Sequence, residues 1–514
     1  MAKLTPEEII KISEPIEQVY SNVVDALLIN IAKHFNTGKS LSTEEWEIQK
    51  LAELGQINTE SIRIIAQLTS QNETLVQAAL EETVLAATKD IEPELKKGVK
   101  AGKIQAPAAE NVLISESIKQ SLSAYNLQAT DKLNLVNTTM LNSTLDLFKK
   151  VVLNTVNIEH KMNAVQEVLN TAAGQVITGI QSRTQALREA LGQIQKEGIT
   201  GFYDRAGRKW SPEAYVNMDI RTTVHNTAIE SVKIRQEDYN VDIFRVSSHS
   251  GARPLCYPYQ GKYFSWNGKS GTFTDGEGKQ HRYKSISSTS YGKPAGLFGI
   301  NCGHHPIPIV PGVSIPRDLP KENKKENDRI YAESQEQRNL EREIRYAKQK
   351  AVMMEAAGDK EGFEKEALKI KDAQKKYNAF CKETGRTKRL DRTQVYEYNR
   401  SVSAKATAAA KRRERLETAL RSTPVKLPDN TFSKITEGAK ISDVETFAGK
   451  GSNKELRVKE FLVQNYGGKA NEWQHSKART YIDTDDGPRK AVIHWFYEQS
   501  VGAKETFVKG WSKK

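Results

Sequence analysis

Cysteine is scarce in this chain. Its 514 residues include three, and no two of them form a Cys-x-x-Cys pair. That argues against a disulfide-stapled secreted protein and for synthesis in a reducing compartment. Aromatic residues are also few, at 7%, and hydrophobic residues reach only 38%. A chain of this length and composition is expected to form two to four domains with much helix, not one dense globule. No apolar run is long enough to cross a bilayer: the most apolar early stretch, residues 23–32, is short and contains Asp25. Residues 1–8 lack the apolar core of a signal peptide. Strand-like alternation is missing from the first 197 residues, and no internal repeat is evident.

Charge, by contrast, is abundant. Charged residues make up 27% of the chain, and 77 Lys and Arg outnumber 64 Asp and Glu for a net charge of +13. Polyanions are the natural partners of such a protein, and no long basic amphipathic helix directs it to a membrane. Basic side chains gather at Lys388, Arg389, Arg392 and Arg400, and again in Lys411-Arg412-Arg413-Glu414-Arg415. They offer phosphate contacts without a base-reading motif, so nucleic-acid binding there would be sequence-independent and salt-sensitive. The bland alternative is a solvated helix that touches nothing.

The fold expected is multidomain and mainly α. Thr5-Pro6-Glu7-Glu8 and Ser42-Thr43-Glu44-Glu45 read as capping boxes that open helices. Ile9, Ile12, Ile16, Val19, Val23, Leu27 and Ile31 form an apolar stripe behind the first box, with a kink or restart expected at Pro15. From about 130 to 196 only Gly174, Gly179 and Gly192 interrupt a helical pattern. Residues 1–197 are thus expected to be a helical assembly domain. Residues 198–315 read as an α+β domain: a hairpin turning at Ala206-Gly207, a helix over 212–237, then a strand over 241–246. Residues 316–422 read as a charged basic helical segment, with long solvated helices near 335–357 and 361–384. Two prolines in Thr423-Pro424-Val425-Lys426-Leu427-Pro428 suggest a linker. Beyond it, residues 423–514 form a small α+β domain, with a helix over 455–466 and strands over 491–496 and 505–509.

Two loops concentrate reactive chemistry. They are Ser248-His249-Ser250-Gly251-Ala252-Arg253-Pro254-Leu255-Cys256 and Gly296-Leu297-Phe298-Gly299-Ile300-Asn301-Cys302-Gly303-His304-His305-Pro306. Cys256 and Cys302, with His249 and His304 or His305, have the identities of a tetrahedral zinc site, although the spacing across a long insertion leaves this open. The same residues are compatible with a Cys–His nucleophile pair or with buried thiols beside a hydrogen-bonded histidine. Arg253 could clamp a phosphate or tie its loop to a carboxylate such as Asp242.

These loops also carry a resemblance. Gly198-Ile199-Thr200-Gly201-Phe202-Tyr203-Asp204, Met218-Asp219-Ile220-Arg221-Thr222-Thr223, Gln260-Gly261-Lys262-Tyr263-Phe264-Ser265 and the run from Tyr291 through His304 follow in the order of the phage minor capsid protein 2 family. The chain resembles that family over about residues 1–420. The resemblance makes His249, Arg253, Cys256, Gln260, Gly261, Lys262, Asn301, Cys302 and His304 determinants of a head-morphogenesis module. It implies a structural head protein near the portal, inside the capsid and assembled in the host cytoplasm. The implied partners are the portal protein, other capsid proteins and packaged double-stranded DNA. No cofactor is expected beyond the structural zinc that the cysteines and histidines suggest.

The tail supports an alternative of a different class. His475 and His494, each beside a tryptophan, and Lys490 supply the base, acid and cation that metal-independent RNA cleavage needs. Head proteins of the resembling family sometimes carry toxin-like C-terminal modules. The bland reading is packing histidines in a sheet.

Overall fold

The computed structural model describes residues 5–35, 41–173, 179–205, 207–317, 319, 322–452 and 454–511. The protein is mainly helical, with sheets in its middle and C-terminal regions. It divides into two compact units, residues 1–349 with 376–397, and residues 350–375 with 398–514.

The first unit begins at the first capping box. Thr5 Oγ1 accepts the Glu8 N–H, and Glu8 accepts the Thr5 N–H in return. Helix α1 (Pro6–Lys33) then runs through Pro15 as one helix, without the restart expected there. Pro15 lies on the exposed side, where the carbonyl it leaves unbonded can turn to water. Ser42 and Glu45 form the second box and open α2 (Thr43–Ala52). α3 (Leu54–Thr69), α4 (Asn72–Lys89) and α5 (Glu92–Lys100) lead to the long α6 (Glu116–Ala173) and to α7 (Gly179–Glu197). Gly174, an expected interruption, lies outside the described residues. β1 (Phe202–Tyr203) and β2 (Lys209–Trp210) form the expected hairpin; Gly207 turns at φ +74°, and Ala206 lies outside the described residues. Ser211 caps α8 (Pro212–Asp238).

Helices α1, α3, α4, α6 and α8 pack together. Their contacts bury Tyr20, Leu27, Ile57, Leu80, Phe148 and Val224, which is the apolar stripe read from the sequence extended to its partners. Tyr20 Oη donates to the Leu133 carbonyl at 3.3 Å and accepts from Asn72 at 3.0 Å. Asp25, the charge inside the most apolar stretch, is fully buried. It accepts Gln349 Nε2 at 2.7 Å and the Tyr396 N–H at 2.9 Å, with Arg345 at 3.7 Å. Burial dominates and raises its carboxyl to about 7.

Next in this unit come β3 (Ile243–Val246), β4 (Tyr263–Ser265), β5 (Gly271–Thr274), β6 (Gln280–Ser285) and β7 (Pro306–Pro308). They form one sheet in the order β5-β6-β4-β3-β7, antiparallel except for the β4–β6 pair. Ile229 of α8 packs with Phe244, Val246, Phe264, Leu297 and Phe298 from the sheet and its loops, and Cys256 and Cys302 belong to this same core. α9 (Lys324–Ala356) follows. It starts earlier than the sequence suggests and buries Leu340, Ile344, Met353 and Met354. It is less solvated than its composition implies because Leu340, Ile344 and Ala347 share one face and Ala351, Val352, Met353 and Met354 are all buried.

The second unit holds most of α10 (Lys360–Thr384), all of α11 (Arg400–Ser422) and a six-stranded sheet. Its strands are β8 (Val425–Lys426), β9 (Phe432–Ser433), β10 (Ser442–Gly449), β11 (Gln474–Ile482), β12 (Arg489–Glu498) and β13 (Gly502–Trp511), in the order β10-β11-β12-β13-β8-β9. α12 (Lys459–Tyr466) precedes β11. The expected linker at 423–428 is instead part of this sheet. β8 pairs parallel with β13, and Val425 is fully buried beside Leu420, Ile493 and Trp495. The prolines bracket a two-residue strand, where a missing N–H costs no ladder bond.

Candidate functional site

The loops after β3 and before β7 bring the sequence's cysteine and histidine residues together. Cys256 follows a turn in which its own N–H and that of Tyr257 bond the Arg253 carbonyl, both at 2.9 Å. Gly251, at φ +68°, and Asn327 of α9 hold the start of that turn: Asn327 Oδ1 accepts the Ala252 N–H at 2.7 Å and its Nδ2 donates to the Ala252 carbonyl at 2.8 Å. Gln260 Oε1 accepts the His249 N–H at 2.8 Å and Ser248 Oγ at 3.2 Å. Gly261, at φ +74°, donates to Val246 and lets the chain re-enter β4. The second loop winds through Phe298 and Asn301, both in the left-handed region, and the Cys302 N–H closes on the Gly299 carbonyl at 2.9 Å.

At the centre, Cys256 Sγ and Cys302 Sγ lie 3.8 Å apart, and Cys302 Sγ is 3.4 Å from His304 Nδ1. All three residues are at least 95% buried, and their ligand atoms lie within 4.8 Å of one another. The rings of His249 and His304 are 4.3 Å apart, and His249 Nδ1 faces the Ser250 carbonyl at 3.1 Å. His249 Nε2 and His304 Nε2 are buried without a hydrogen-bond partner. A thiol hydrogen bond from Cys302, with His304 and Arg253 nearby, pulls the Cys256 thiol down to about 4. The same pairing and burial push Cys302 up. Burial lowers His249 to about 4. His305, the other candidate ligand, is tied by its backbone N–H to Ser247 Oγ at 3.0 Å.

Arg253 ties the two loops, but not through Asp242. Its Nη2 reaches the Gly296 carbonyl at 3.4 Å and Cys256 Sγ at 3.7 Å, while Asp242 Oδ1 accepts the Asn267 N–H. Lys262 is exposed, and its backbone joins β3 to β4. Two supporting residues escaped the sequence reading. One is Asn327. The other is His225 of α8, fully buried with Nε2 2.8 Å from the His304 carbonyl. His225 had a signal available: a histidine on the apolar face of a helix needs a partner.

The basic residues divide. Arg389 is committed to Glu341, with Nε and Nη2 each 2.8 Å from its carboxylate oxygens. Arg392 is half-buried, and its pKa is lowered by burial. Lys388 is exposed. In the second unit Arg413 bonds Glu417 and the Ile441 carbonyl, each at 3.0 Å. Lys411, Arg412 and Arg415 are exposed on α11, with Arg412 2.8 Å from Glu364.

His475 on β11 and His494 on β12 lie 5.4 Å apart, ring to ring. They pack among Phe447, Phe496 and Phe507 at 4.1–5.5 Å, and burial lowers both to about 4. Lys490 does not join them. It pairs with Tyr481, four residues down the strand from His494, which is about 13 Å of strand.

No helix among the described residues is long and apolar enough to cross a membrane. Residues 4–382 match the family Phage minor capsid protein 2. A "Structural protein" of Lactococcus phage LL-H is 25% identical over 348 residues, which cover 67% of this chain and 86% of that protein. A "Structural protein" of Lactococcus phage mv4 is 38% identical over 78 residues, 15% of this chain and 63% of that protein. No solved structure matches. With the family match extending over well more than half of its length, the chain belongs to the phage minor capsid protein 2 family and is a structural component of the phage virion.

Proposed function

We propose that this minor capsid protein occupies the head interior near the portal, assembles with the portal and other capsid proteins, and contacts packaged double-stranded DNA without reading its sequence. The observation that carries the DNA contact is the net charge of +13, with Lys411, Arg412 and Arg415 exposed together on α11. Arg412 is held by a surface ion pair with Glu364. Such pairs contribute about 0–1 kcal/mol, so a phosphate can displace the carboxylate. Arg389 and Arg413 take a structural part, because moving either would strand a carboxylate or a carbonyl.

Two measurements test the reading. Binding of the full-length protein to duplex DNA of unrelated sequences should weaken steeply and equally with salt. Cross-linking in intact virions should join this protein to the portal. Sequence-selective binding, or cross-links confined to the capsid shell far from the portal, would sink it.

A ribonuclease in the second unit is the weaker reading. The 5.4 Å separation of His475 and His494 favours it. The phenylalanine packing and the distance of Lys490 weigh against it. Incubating the full-length protein with labelled RNA and a chelator tests it, with His475→Ala/His494→Ala as the control.

A further inference from the structure

We propose that Cys256, Cys302, His304 and His249 hold one structural zinc ion. The proposal is independent of the DNA-contact reading. Tetrahedral zinc with Zn–S bonds of about 2.3 Å and Zn–N bonds of about 2.0 Å has an S–S edge of roughly 3.8 Å and an S–N edge of roughly 3.5 Å. The two thiols are 3.8 Å apart, and Cys302 Sγ is 3.4 Å from His304 Nδ1. Two edges of the tetrahedron thus already have the right size, and the ligand atoms of the three residues lie within 4.8 Å of one another.

His249, outside that three-residue cluster but with its ring packed against His304, would supply the fourth corner, and a separate observation points to it. Its Nδ1 sits 3.1 Å from the Ser250 carbonyl, an acceptor that holds the ring proton there. This leaves Nε2 as a bare lone pair, buried and without a partner, on a ring 4.3 Å from that of His304. A second hydrogen bond that fixes the tautomer in this way is the usual support of a metal-bound histidine. Gly303 makes room for the ring: a Cβ at that position would lie 3.1 Å from His249 Nε2 and 2.6 Å from Pro6 Cγ.

The surroundings suit thiolates. The Phe298 N–H points at Cys302 Sγ from 3.3 Å, and Arg253 Nη2 lies 3.7 Å from Cys256 Sγ. Both stabilise negative sulfur. His225 and Asn327 anchor the two ligand-bearing loops from neighbouring helices. Two sulfurs and two imidazoles select zinc over magnesium or calcium, which take oxygen ligands. With all four corners filled by the protein, no position is left for a water or a substrate, so the centre is structural and not catalytic. The ion would clip together loops whose cysteines are 46 residues apart, where three short strands and irregular turns give little regular structure.

The test uses the full-length protein, purified under reducing conditions without chelator or immobilised metal. Elemental analysis should find about one zinc per chain. Replacement by cobalt(II) should produce the intense visible bands of a tetrahedral site and a thiolate-to-cobalt charge-transfer band. Cys302→Ser should abolish metal retention. Because a buried variant can also fail by misfolding, His249→Ala is the second arm. His249 is only half-buried, so the variant should stay folded, bind zinc at least tenfold more weakly and alter the cobalt bands. A folded wild-type protein that takes up no zinc when the ion is supplied, with all three thiols titratable or a Cys256–Cys302 disulfide, would overturn the proposal. So would a His249→Ala variant with unchanged affinity and spectrum.

Discussion

Histidines meet in two places in this protein, one in each compact unit, and the two are built differently. In the first unit His249 and His304 converge with two thiols. The Ser250 carbonyl aims the His249 ring, while Gln260 and His225 hold the backbones of His249 and His304. In the second unit His475 and His494 are comparably close, yet their neighbours are Phe447, Phe496 and Phe507. No thiol or carboxylate among the described residues contacts those two rings; burial lowers His475, and burial with the charges of His475, Lys477 and Lys509 lowers His494. Proximity of rings is therefore a poor guide to chemistry. What distinguishes a ligand set is convergence with thiols and, for His249, a second bond that fixes the ring while leaving a lone pair free.

Several changes would break or sharpen this contrast. The largest effect is expected in the second unit from Trp495→Ala. Trp495 is fully buried in the core of Leu420, Val425 and Ile493, and the loss should be about 3–5 kcal/mol in urea unfolding. The tryptophan, not the histidine beside it in sequence, is the residue that unit depends on. Gly303→Ala should cost about 1–3 kcal/mol by overpacking against Pro6 and His249. Its signature is a weakening of the first unit alone, read by hydrogen exchange of the loop amides.

The double variant His475→Phe/His494→Phe should change stability at neutral pH by less than about 1.5 kcal/mol, since each ring already packs among phenylalanines. It should, however, alter acid sensitivity. In the parent these histidines titrate near 4 when folded and near 6.5 when unfolded, so between those values the unfolded state binds more protons. The second unit should lose stability as pH falls from about 6.5 towards 4. The variant should lose less over the same window. Scanning thermal unfolding against pH in both proteins reads this directly, and equal slopes would assign the acid sensitivity elsewhere.

The smallest effect on folding, and a clear one on binding, is expected from Lys411→Ala/Arg415→Ala. Both side chains are exposed, so stability should hold within about 0.5 kcal/mol. The slope of log affinity for DNA against log salt should fall by roughly 0.9 for each phosphate contact removed. An unchanged slope would move the DNA contact off α11.

Much of the helical half was legible because helix signals are local. Thr5, Glu8, Ser42 and Glu45 lie within one turn of the atoms they cap, and the α1 stripe repeats at a spacing only a helix uses. Segments were misread where a distant partner decides. The 423–428 stretch looks like a linker by composition, but Val425 is a strand residue because β13, some eighty residues later, lies beside it. Arg389 reads as a phosphate ligand until α9 brings Glu341 to it.

For the candidate sites the division is similar. The sequence by itself determined the charge, the helical character of the N-terminal half and the ligand types gathered in the two loops. The tertiary structure alone decided which of those residues meet. Sequence neighbours on a strand point to opposite faces, so His494 and Trp495 part company. Cys256 and Cys302, 46 residues apart, come within 3.8 Å because the loops that carry them share one apolar core. Convergence depends on three-dimensional packing, and the distances it produces are not encoded in the spacing of residues along the chain.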